Sequence, residues 1–199
     1  MNPFTLLRRA YDWVLSWADS RYGAVALFLL AFAESSFFPI PPDVLLMALA
    51  LGARKKSLYF ALICSIGSVL GGLAGYAIGA FAFDTIGRPI IEFYGAADKY
   101  DSIGKLYEEH GFWIVFLAGF TPIPYKVITI AGGVFKISLL PFTIASIIGR
   151  SARFFLVAGL IHAFGEPVKA FIDKWFNLLT VVFSVLLIGG FVLLKAMAH

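Results

Sequence analysis

Five ionisable side chains stand inside otherwise apolar stretches of this chain: Glu34, Asp43, Lys126, Arg150 and Arg153. Their types and spacing define the chemistry on offer. Arg150 and Arg153 are three positions apart, so on a helix they share one face. A guanidinium stays protonated and grips a phosphate through two parallel N–H donors, which an ammonium cannot do. The pair forms a fork for an anionic headgroup, with Lys126 as a third cation. Glu34 and Asp43 each lie beside a proline cluster. Burial disfavours the charged form of a carboxylate, which suits proton uptake and release. A structural use competes: Asp43 pairing with Lys126, and Glu34 with an arginine. Two neighbouring guanidiniums outnumber any acid close to them in sequence, which favours a role beyond pairing for Arg150 and Arg153.

Other chemistries find no support. His162 is the one histidine in an apolar helical stretch, and it falls nine residues after Arg153, about half a turn round a helix. No Gly-x-Ser-x-Gly nucleophile elbow is present. No His/Cys cluster offers a metal site, and nothing calls for a cofactor. Cys64, the single cysteine, sits in an uncharged run and reads as a small buried hydrophobe. The expectation is a protein that is not an enzyme. Of the 199 residues, 60% are hydrophobic and only 14% charged, against about 25% charged in a soluble domain. With 17% aromatic residues, including 21 Phe, the composition belongs to a chain with lipid as part of its solvent. The net charge of +4 is not gathered into a basic stripe beside exposed aromatics, so nucleic acid is not an expected partner.

The elements that must position these charges follow from length arithmetic. Residues 1–21 place Phe4, Leu7, Tyr11, Val14 and Ala18 at helical spacing, with Arg9, Asp12, Ser16 and Asp19 mostly opposite. This reads as an interfacial amphipathic helix. Residues 22–53 are apolar apart from Glu34 and Asp43, yet two full spans need about 40 residues. Pro39, Pro41 and Pro42 break any helix in their middle. A re-entrant hairpin fits, with non-helical backbone tolerated at depth only against protein or a wet cavity. Arg54-Lys55-Lys56 marks a membrane surface, and 57–83 follows as an uncharged spanning helix. Its Gly67, Gly71, Gly75 and Gly79 recur every fourth residue, a bare stripe for close helix packing.

Residues 84–110 hold six of the twelve acids and read as an extramembrane helical segment. Residues 111–136 are apolar again and broken by Pro122 and Pro124, a second re-entrant hairpin. Spanning helices are expected over 137–165 and 176–194. The Pro39–Val44 segment matches Pro122–Val127 at an offset of 83 residues, and Gly67 then meets Gly149 after a one-residue adjustment. With one crossing per half, the second copy enters the bilayer inverted, a pattern of transporters whose site lies between repeats. Eight Lys/Arg fall on the side of the N-terminus and Arg54, and five on the other. That bias makes the former side cytoplasmic. The fold class expected is an all-α integral membrane protein, an inverted repeat of re-entrant hairpin plus spanning helix, flanked by an N-terminal interfacial helix and a C-terminal span.

The Glu34-x4-Pro-x-Pro-Pro-Asp43 hairpin, the glycine-laddered helix, the second hairpin Gly119-Phe-Thr-Pro-Ile-Pro-Tyr-Lys126 and Ala131-Gly132-Gly133 together resemble DedA proteins. These carry the VTT, or SNARE-associated, domain, and the chain is most similar to the small YqaA-like branch. The resemblance covers about 22–165. It implies a multi-pass protein of the bacterial inner membrane that moves lipid: undecaprenyl phosphate or a phospholipid, in flippase- or scramblase-like fashion, with Glu34 and Asp43 linked to protons. The expected partners are thus membrane lipids and protons, while assembly as a homo-oligomer stays open. A proton-coupled small-solute carrier and a non-transporting scaffold are the alternatives. The common family form has arginines where this chain has Gly119 and Tyr125, which shifts the cationic role toward Lys126, Arg150 and Arg153.

Overall fold

The computed structural model describes residues 17, 20, 22–36, 40–87, 97–121, 123–165 and 167. The expected interfacial helix over 1–21, apart from its last residues, and the expected span over 176–194 lie outside the described residues, as do Pro39 and Pro122. Among the described residues every regular element is helical. In chain order these are α1 (Gly23–Ser36), α2 (Asp43–Gly52), a 3-10 turn (Arg54–Lys56), α3 (Ser57–Ala82), a π-helical turn (Phe83–Gly87), α4 (Ala97–Phe120), α5 (Tyr125–Val134) and α6 (Leu139–Phe164). The helices α3 and α6 are both 26 residues, about 39 Å at the α-helical rise. Both are apolar and long enough to cross a membrane. By contrast α1, α2 and α5 have only 14, 10 and 10 residues.

Proline chemistry explains the short helices. Pro42 stands at the N-cap of α2 with φ −71°, and Asp43 follows as an acid in the first turn, where the helix dipole favours negative charge. Pro124 caps α5 with φ −60°. Neither proline carries an N–H, so the preceding helix cannot continue through it. The expected division at 110/111 between a polar segment and a second hairpin falls inside α4, which runs unbroken from Ala97 to Phe120. Side-chain polarity changes there, but no proline interrupts the backbone ladder, and Gly111 alone costs a helix only about 1 kcal/mol.

The hub is α3, which packs against α1, α2, α5 and α6. Its glycine ladder is divided between two neighbours. A Cβ on Gly67 would lie 2.5 Å from the Phe28 carbonyl oxygen, and one on Gly71 would run into the Phe32 carbonyl, so both admit the backbone of α1. Gly75 faces Thr129, and a Cβ on Gly79 would strike the Ile130 carbonyl, so these two admit α5. Gly149 on α6 repeats the arrangement, with its hypothetical Cβ 2.7 Å from the Phe116 carbonyl of α4. At one end, Arg54 Nε donates to the His162 carbonyl and Nη2 to that of Ala163, both at 2.7 Å. That satisfies the open C-terminus of α6 and fixes α3 and α6 antiparallel. His162 Nδ1 lies 3.2 Å from Ser57 Oγ in the same corner. Cys64 is fully buried.

Gly71→Ala and Gly79→Ala should each lower stability by about 1–3 kcal/mol through overpacking against backbone. Gly159→Ala, where a Cβ meets nothing within 4 Å, should be neutral or stabilising. Thermal unfolding of the three variants in one detergent reads the difference.

Candidate functional site

Arg150 occupies the middle of α6 and is 3% exposed. A charge so placed needs compensation on every side, and three elements supply it. Nη2 donates to Glu34 Oε2 at 2.8 Å from the last turn of α1. The same nitrogen lies 3.4 Å from Ser35 Oγ, and Nε donates to Ser68 Oγ on α3. The Ser35 and Ser68 hydroxyls are 2.7 Å apart, and Ser35 Oγ lies 3.3 Å from Glu34 Oε2. Two hydroxyls thus carry the guanidinium's hydrogen-bonding back to the carboxylate it pairs with. Two rings flank the guanidinium, its Cζ 4.8 Å from the Tyr125 ring centre and 4.7 Å from that of Phe154, within cation–π range.

One turn on, Arg153 grips Asp43 bidentately, Nε to Oδ1 at 3.0 Å and Nη2 to Oδ2 at 3.1 Å. Its Nη1 donates to the Thr121 carbonyl at 2.9 Å. Asp43 opens α2, and Thr121 directly follows α4, so a single guanidinium touches both helix breaks. The pairs are not alike in exposure: Glu34 and Arg150 side chains are 13% and 4% exposed, Asp43 and Arg153 15% and 22%. The second pair is the more exposed one, most of all at Arg153.

Four of the five charges singled out from sequence are therefore joined in two pairs on one face of α6. Each arginine has an acid, brought from over 100 residues away. Both oxygens of Asp43, the acid expected opposite Lys126, are held by Arg153. Lys126 is half-buried in the first turn of α5, next to the tyrosine that stacks on Arg150. Gly119 lies where α4 and α6 meet: a Cβ there would stand in ordinary contact, 3.4 Å from the Arg150 backbone nitrogen and 3.5 Å from Gly149. Sequence reasoning missed Ser35, Ser68, Tyr125 and Phe154. For the serines a signal existed: Ser35 adjoins Glu34, and Ser68 adjoins the glycine stripe. The aromatics carried none, being two among 29 Phe and Tyr.

Chemically, this is a site of donors balanced by two carboxylates. Among the described residues no group of three or more His, Cys, Asp or Glu gathers to hold a metal.

Comparison with known proteins agrees with the resemblance. The family model of the VTT domain matches residues 38–163. An uncharacterized protein of Haemophilus influenzae is 37% identical over 93% of this chain and 96% of its own length. Undecaprenyl phosphate transporter A of Staphylococcus aureus is 28% identical over 66% of this chain and 69% of its own. The Golgi apparatus membrane protein TVP38 of Eremothecium gossypii is 26% identical over 63% of this chain and 41% of its own. No solved structure matches. With the domain model covering most of the chain, and Asp43, Arg150 and Arg153 inside the match, this membrane protein belongs to the VTT-domain, or DedA, family.

Proposed function

We propose that this protein moves an anionic lipid across its membrane, the phosphate oxygens replacing carboxylate oxygens on Arg150 and Arg153 during passage. The observation that carries this reading is the double arginine–carboxylate bridge where two helix breaks meet, midway along a helix long enough to span. Carboxylate and phosphate are alternative ligands of one guanidinium fork. Protonation of Glu34 or Asp43 removes the competing negative charge and frees the fork; when the carboxylate re-forms, the proton leaves and the phosphate is displaced. Proton and lipid are then linked through a single site, with Lys126 as an adjoining cation. The undecaprenyl phosphate transporter among the relatives supports a polyprenyl phosphate as substrate, with a phospholipid second.

In this reading 22–165 is the transport core. The hairpins 22–53 and 111–136 are re-entrant from opposite faces of the bacterial inner membrane, with their breaks at the midplane. Matching contacts of Gly67 with Phe28 and Gly149 with Phe116 support an inverted repeat, because each long helix meets the first arm of its own hairpin in the same way.

Reconstituted into vesicles, the purified protein should accelerate transbilayer movement of a fluorescent polyprenyl phosphate or phospholipid. No acceleration for either would overturn the reading. Glu34→Gln and Asp43→Asn mimic the protonated acids and should flatten the dependence of transport on pH while the protein stays folded. Arg150→Lys keeps the charge but loses the fork, and should slow transport at least tenfold, on the order of 1.4 kcal/mol. Transport that falls only together with the melting temperature would instead indicate a scaffold.

A further inference from the structure

The hydroxyl of Tyr125 is buried and makes no hydrogen bond among the described residues. Tyr125 is 1% exposed and opens α5 directly after Pro124, so it sits at the second helix break. The hydroxyl is not accommodated by accident. Gly72 of α3 leaves the space for it: a Cβ at that position would stand 2.7 Å from the oxygen. Ser146 on α6 donates its Oγ–H to the Phe142 carbonyl at 2.7 Å; its lone pairs stay open, yet the Tyr125 hydroxyl makes no hydrogen bond to them. A phenylalanine would supply the same ring against Arg150 without burying an unmet donor, which is destabilising.

Two kinds of donor thus converge here. The Arg150 guanidinium is shared with Glu34, and the phenol beside it lacks an acceptor. A guanidinium, which can only donate, beside a phenol with an unmet O–H suits an oxyanion as ligand. We propose that the Tyr125 hydroxyl is a ligand-binding donor that takes an oxygen of the phosphate monoester received by Arg150. The Tyr125 and Phe154 rings hold the guanidinium while its carboxylate is exchanged. This rests on the reading of Arg150 as an anion site. It adds a neutral contact that discriminates by hydrogen bonding, where the arginines discriminate by charge.

The test is titration calorimetry on the full chain in detergent micelles with farnesyl phosphate, inorganic phosphate and farnesol, alongside melting temperatures. Tyr125→Phe should bind farnesyl phosphate about tenfold more weakly, the scale of one hydrogen bond to a charged group, with farnesol unchanged and the melting temperature no lower. The same weakening for inorganic phosphate assigns the contact to the phosphate whatever carries it; weakening for farnesyl phosphate alone assigns it to a lipid. Equal affinity of Tyr125→Phe and the parent overturns the proposal. So does a lowered melting temperature reproduced by Ser146→Ala, which would make the hydroxyl a structural partner of Ser146. A parent protein that binds neither phosphate overturns the anion-site reading and this proposal with it, an outcome distinct from equality of parent and variant.

Discussion

The Arg150 guanidinium, 3% exposed in the middle of a 26-residue apolar helix, is the constraint to which the rest of the structure answers. A buried charge is tolerated only when an opposite charge and further hydrogen bonds surround it. Supplying them requires α1 to end where Glu34 and Ser35 reach α6. It requires α3 to bring Ser68 within reach from the other side, and α5 to begin with an aromatic ring over the guanidinium. The glycines follow from this demand. Without Gly67 and Gly71, α1 stands off from α3 and the Glu34–Ser35–Ser68 cluster opens. Without Gly75 and Gly79, α5 is held away and Tyr125 leaves the cation.

The same logic extends one turn along α6 and gives the site its asymmetry. Arg153 spans both breaks, binding Asp43 at the start of α2 and the Thr121 carbonyl after α4. Unmet backbone groups at helix breaks are expensive in an apolar setting, so Arg153 stabilises the interruption it touches as well as pairing an acid. Arg150 is the more deeply buried and has the aromatic clamp; Arg153 has the more exposed side chain.

Much of this was legible in the chain. Charges in apolar runs are anomalous, so Glu34, Asp43, Arg150 and Arg153 identify themselves by the cost of burying them. The proline breaks and the glycine ladder speak through backbone chemistry, which is local. Pairing is not local: Glu34 meets Arg150 and Asp43 meets Arg153 across separations of 116 and 110 residues, and neither separation carries a period that sequence could reveal. Continuity of α4 through Gly111 was hidden because polarity was taken to divide what hydrogen bonding joins. Tyr125 and Phe154 were invisible because an aromatic clamp has the same composition as a lipid-facing surface.

The central claim is that Glu34 and Arg150 are energetically coupled, and a double-mutant cycle on folding stability tests it most directly. Glu34→Leu and Arg150→Met each strand a buried partner and should cost about 3–5 kcal/mol, while the double variant should cost less than either single change. Singles that simply add in the double variant would contradict the claim, because two residues whose losses sum do not depend on each other.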